Sequence, residues 1–152
     1  IWGIKSGAIA VFDPLGKTGE YSRDTKTKDD RNKHDYIFKR RHIESIYNDI
    51  KNAVEDIDEN PVYYTLNLCR VLYYLKEGIV SSKREGGELS REHLPDKYKK
   101  IVEQCLKVYN GAAFVIEISH EDLYEFAYLM LEEINKLKNY FLAGNTLLKK
   151  EY

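Results

Sequence analysis

Arg70 is the residue of this sequence that most needs a chemical explanation. It stands inside the longest apolar run of the chain, NPVYYTLNLCRVLYYLKEGIVSSK, from Asn60 to Lys83. A guanidinium withdrawn from water is costly unless another charge meets it. One suitable partner is an acidic side chain of a neighbouring helix, which would make Arg70 half of a structural ion pair. The other is a bound anion, with Lys83 as the second cation of a phosphate clamp; the plainer reading of Lys83 is an exposed surface lysine. Asn60, Tyr63, Asn67, Arg70 and Tyr74 recur every three or four residues, which lines them along one edge of a helix.

Acidic residues gather just before that helix. Glu55, Asp56, Asp58 and Glu59 favour its positive N-terminal end, and they also offer complementary charge to a cationic ligand. Asp56 and Asp58 have the spacing of a metal-binding DxD. LGKTG at Leu15 to Gly19 looks like a phosphate loop, but Val11 stands where the first glycine of that motif belongs. His34, His42, His93 and His120 are scattered, and no second histidine lies four positions from His120 to complete a zinc pair. Cys69 and Cys105 fall on apolar helix faces, where a thiol serves as a small hydrophobe, so neither a disulfide nor a metal site is expected.

The elements that must position these residues are helical. Asn60 caps the central helix, Pro61 suits its first position, and Gly78 stops it. Its apolar positions, Val62, Leu66, Cys69, Leu72 and Tyr73 with Leu68, Val71 and Leu75, are wide enough for packing on more than one side. Before it, Ile43, Ile46, Tyr47, Ile50, Val54 and Ile57 mark a helix from about Phe38 to Asp58. After it, Ser81 or Ser82 caps a short helix, with Glu85 completing a capping box if Ser82 leads. Gly86 and Gly87 within that helix mark either a solvent loop or a close backbone approach. Pro95 begins a further helix with a stripe from Tyr98 to Tyr109, and Gly111 closes it. The linker AAFVIEI is expected to lie against the bundle. Ser119, with Asp122, caps the last helix, whose stripe of Leu123, Phe126, Ala127, Met130, Leu131, Ile134 and Leu137 is core.

The expected fold is therefore all-α, a bundle of four to five helices with an irregular N-terminal arm. Residues 1–37 are read as arm or linker and 38–152 as the bundle domain. Ile1 to Phe12 is β-leaning, and Leu15 to Asp35 has little to bury. A chain of 152 residues builds one ordinary core. Its 24 basic and 25 acidic residues, net −1, give no bias toward nucleic acid or an anionic membrane. No run is long enough to span a bilayer and the opening lacks a signal-peptide pattern, so a soluble cytoplasmic protein is expected. The thirteen tyrosines suit helix contacts and a cleft rim, with rings buried and hydroxyls wet.

ENPVYYTLNLCRVLYYLKEGIVSSKREGGE and the following REHLPDKY resemble the C-terminal helical domain of bacterial aminoglycoside nucleotidyltransferases, the spectinomycin and streptomycin adenylyltransferases. The likeness runs from about Ile43 to Leu137. It rests on the order of motifs: an arginine late in the central helix, a lysine thirteen residues on, and a leucine-proline pair ending twelve beyond that, here Arg70, Lys83, Leu94 and Pro95. The resemblance implies ATP-dependent adenylylation of an aminoglycoside or spectinomycin hydroxyl. It puts Arg70 and Lys83 on nucleotide phosphate and turns Asp56, Asn60, Tyr63 and Asn67 toward the cationic antibiotic. ATP and Mg2+ belong to the complete enzyme, with none held by this chain alone.

In that family the DxD follows a Gly-Ser turn on a strand of an N-terminal α/β domain, which also carries a glutamate base. Asp56 and Asp58 end a helix with no such turn nearby, so this chain is assigned no catalytic and no metal-binding residue. It is expected to be inactive without a catalytic domain as partner. A gapless count from Arg70 puts Lys51 where streptomycin-accepting enzymes carry a substrate-stacking tryptophan, which argues against streptomycin and leaves spectinomycin or another cation. The alternative expectation is a freestanding helical binding or interaction module without enzymatic activity.

Overall fold

A computed structural model describes residues 27–150, with side chains to Gly144. The apolar opening from Ile1 to Phe12, the LGKTG stretch and most of the proposed linker lie outside the described residues. The chain forms two compact units that part between His42 and Ile43. Every regular element among the described residues is helical.

Helix α1 spans Lys28–Asn48 and begins well before the expected Phe38. Its start is local chemistry. Thr27 Oγ1 accepts the Asp30 N–H at 3.2 Å, while Asp30 Oδ2 accepts the Thr27 N–H at 3.4 Å and its hydroxyl at 2.9 Å. This reciprocal cap satisfies backbone donors that would otherwise face water alone. Asp35 and Lys39 then pair at 3.0 Å, one turn apart. Reading residues 28–37 as irregular because they have little to bury underrated these contacts.

The second unit, from Ile43, holds the core. The expected continuous helix to Asp58 is interrupted: α1 ends at Asn48, residues 49–52 turn, and α2 is the short Ala53–Asp56. Asn48, Asp49 and Asn52 are poor helix formers, whereas Ile43, Ile46, Ile50 and Ile57 keep their buried places through the turn. Helix α3, Pro61–Glu77, is the central element and packs against all three helices that follow it. Asn60 Oδ1 accepts the Tyr63 N–H at 3.4 Å. At the other end Gly78 takes φ 72°, and its N–H reaches Tyr74 O at 2.8 Å. Leu66, Leu68, Cys69 and Val71 are wholly buried between them.

Helix α4, Lys83–Ser90, carries the capping box of Ser82 and Glu85 and runs into a 3-10 turn, Arg91–His93. Its glycines mark a close approach. A Cβ at Gly86 would lie 2.7 Å from Arg70 Cα, and one at Gly87 2.8 Å from Leu66 Cδ2. Ser90 Oγ donates to Cys69 O at 3.2 Å and ties the far end of α4 to α3. Helix α5, Asp96–Tyr109, and helix α6, His120–Lys150, close the other side. Ser119 Oγ caps α6 by accepting the Asp122 N–H at 3.2 Å, and Lys97 binds Glu125 at 2.7 Å across the two helices. The connection departs from expectation: Ile116 and Ile118 pack on the core, but Phe114 is 96% and Val115 72% exposed.

Candidate functional site

The polar edge of α3 sinks inward along its length. Asn60 is exposed at its start, Tyr63 is half-buried, Asn67 is wholly buried, and Tyr74 is buried near its end. Arg70 lies between, its side chain 23% exposed. The depth follows from α4, whose Gly86 sits directly on the Arg70 backbone.

Arg70 has an acidic partner in its own unit. Nη2 donates to Asp49 Oδ2 at 3.2 Å, from the turn between α1 and α2. Nothing in the spacing of the sequence points to Asp49. Its signal was faint: one acid among Asn48, Asp49 and Asn52, where weak helix formers make a turn. With both groups partly solvated, the pair contributes about 1 kcal/mol or less. Arg70 Nε is buried and meets no acceptor among the described residues, and Asn67 Oδ1, three residues earlier, is buried without a donor. The Asn67 amide nitrogen donates back to Tyr63 O at 3.0 Å. Asn67 therefore offers no open surface to a ligand in this form of the chain.

Lys83, in the first turn of α4, brings its ammonium over the Tyr63 ring, 5.0 Å from the centroid. Tyr63 meets Tyr64 edge-on, with centroids 5.1 Å apart. Tyr64 in turn donates its hydroxyl to Asp56 Oδ2 at 3.4 Å. Burial first, and then the Asp56 charge, pushes the Tyr64 phenol above its ordinary pKa and keeps it a donor. An aromatic pair thus links Lys83 to Asp56. The remaining expected residue, Asn60, spends its side-chain oxygen on the helix cap.

Asp58 takes a different partner from Asp56, pairing with His120 Nδ1. Among the described residues no three metal-ligating side chains gather. Two cavities lie apart from the Arg70 edge. One of about 430 Å3 is lined by Lys97, Lys100, Gln104, Glu117 and Asp122 among others; one of about 240 Å3 lies between Leu72, Tyr73, His93 and Leu94. Neither takes in Arg70 or Lys83. What the edge offers is an open wall: two cations, a buried guanidinium N–H in need of an acceptor, and a carboxylate positioned by a tyrosine. No helix among the described residues is long and apolar enough to cross a membrane.

The family model of the aminoglycoside adenylyltransferase C-terminal domain matches residues 35–133. No curated protein and no solved structure matches the chain. The matched span is well over half of the 152 residues and includes Asp49, Asp56, Tyr63, Arg70 and Lys83. The chain belongs to the family of aminoglycoside adenylyltransferase C-terminal domains.

Proposed function

We propose, from that membership, that the α3 edge and the start of α4 form the non-catalytic wall of an adenylylation cleft. Arg70 and Lys83 receive the phosphates of ATP. Asp56, with Tyr63 and Asn60 beside it, faces a cationic antibiotic, spectinomycin fitting better than streptomycin because Lys51 replaces the stacking aromatic. Asn67 supports the wall from beneath it. The metal-binding carboxylates and the base come from a catalytic domain, in which the substrate hydroxyl gives its proton to the base and attacks the α-phosphate, breaking the α–β bond and releasing pyrophosphate. Magnesium, when bound, neutralises phosphate charge; no set of carboxylates among the described residues suits it, and it is left to that domain. The contribution of these helices is to hold charge and orientation against the transferring group.

The observation that carries the reading is the Arg70 guanidinium, kept within the bundle with its Nε–H unmatched and with Lys83 brought to the same edge by the Gly86 contact. Its test is calorimetric titration of the chain with Mg·ATP, where one wall alone should bind at about millimolar strength. Arg70→Gln and Lys83→Gln should each weaken binding by about tenfold. Unchanged binding in both folded variants would remove the nucleotide role. The second reading, a helical module that uses Arg70 only as a structural ion pair, is favoured by the Asp49 contact. It predicts no binding of ATP at all.

A further inference from the structure

Among the described residues the Arg70 guanidinium meets one protein acceptor, and its Nε–H is buried without any. A guanidinium has five N–H donors in a rigid fork. Asp49 takes one of them, through Nη2 at 3.2 Å, instead of the paired bonds that a carboxylate makes side-on. Nε is buried without an acceptor, and the Asn67 amide oxygen on the same edge is buried without a donor. Buried polar groups are ordinarily matched, and of the unmatched ones only the Arg70 Nε–H belongs to a cation on the partly exposed edge. An oxyanion supplies the acceptor it lacks.

The two halves of the ion pair differ in freedom. Arg70 is held at its backbone by Gly86, while the Asp49 side chain is 43% exposed on a turn and can swing into water. Lys83 lies over Tyr63, which stands seven residues before Arg70 on the same edge of α3. Two cations set at different points along one edge suit a chain of phosphates better than a single one. Resting on the phosphate reading above, we propose that Asp49 is the counter-charge that sets the strength and selectivity of this anion site. It holds the guanidinium while the site is empty and opposes every anion that arrives. A singly charged anion gains too little from Arg70 to displace the carboxylate, whereas a polyphosphate that reaches both cations does so.

The test uses the whole 152-residue chain, with tripolyphosphate as probe, in calorimetric titrations at fixed ionic strength. Asp49→Asn should bind it about tenfold tighter than the unmodified chain, because a like charge beside the site is gone while the shape is kept. Asp49→Glu, which restores the charge, should return to the unmodified affinity. Adding Arg70→Gln to Asp49→Asn should abolish the gain. Circular dichroism checks folding, and Asp49→Ser carries the same expectation if the asparagine variant does not fold. Equal or weaker binding by folded Asp49→Asn, with Arg70→Gln still losing affinity, overturns the inference and leaves the phosphate reading standing. Absence of binding by both the unmodified chain and Asp49→Asn overturns the two together.

Discussion

Helix α3 meets α5 and α6 on one side and α4 with the Asp49 turn on the other, and both are closely packed, but only the second carries charge within the packing. Leu66, Leu68, Cys69 and Val71 are buried in one core with Val102, Cys105, Leu106, Phe126 and Ile134, and Leu66 also meets Gly87 of α4. Each such side chain stabilises the fold by about 1.5–3 kcal/mol through area removed from water. The other side has an arginine paired through one bond, an unmatched amide oxygen and a lysine resting on a ring. Apolar residues in those places would close the bundle at less cost. The shared apolar core therefore accounts for stability, and the polar edge under α4 has features that stability does not explain.

The comparison breaks most plainly through the core. Phe126, wholly buried on α6 and edge-on to Tyr98 at 5.4 Å, should cost about 3–5 kcal/mol when cut to alanine. Denaturant unfolding measures it, and the fraction that stays folded should keep its affinity for polyphosphate. A loss of affinity without a loss of stability would show that the two sides are not separate.

Gly86→Ala strikes both sides at once. The added methyl meets the Arg70 backbone at 2.7 Å, an obstacle that no rotamer can relieve, so α4 must move away at about 1–3 kcal/mol. The shift carries Lys83 with it, and anion binding should weaken alongside the melting temperature. Gly78→Ala is the control, since a Cβ there meets nothing but takes φ 72°; it should reduce stability alone.

The smallest effect sharpens the dry side. Burial pushes the Cys69 thiol up to about 12 and the Cys105 thiol up to about 11, from an ordinary value of 9.0. Folded pKa values above the unfolded ones mean that the native state binds more protons between them. The thiols' contribution is intact below about pH 9 and is lost as pH rises toward 11 or 12, by roughly 1 kcal/mol for each thiol at pH 10. Unfolding midpoints across pH 8 to 10 check this, and a thiolate-directed reagent at about pH 8 should label neither cysteine until the chain unfolds.

What was legible in the sequence was what a few neighbouring residues decide. Asn60, Ser82 with Glu85, and Ser119 each cap a helix through a bond to a residue three positions away. The stripes of α3, α5 and α6 follow from a single helical period. The start of α1 was equally local, but the cap between Thr27 and Asp30 was outweighed by a lack of apolar residues that a solvated helix does not need. Asp49 was harder, because its bond to Arg70 spans twenty-one positions and no spacing rule points across a turn. The depth of Asn67 and the exposure of Phe114 were not legible for a shared reason. Depth is set by what covers a residue, and neither the full burial of Asn67 nor the 96% exposure of Phe114 is in the local pattern.

The central claim is that the Arg70 edge of α3 receives phosphate. The most direct measurement follows the side-chain N–H signals of a 15N-labelled chain by NMR as tripolyphosphate is added. The account predicts a saturable shift of the Arg70 Nε–H together with the Tyr63 backbone amide, absent in Lys83→Gln at the same concentration. An Arg70 signal that stays in place while exposed lysines drift without saturating would contradict it.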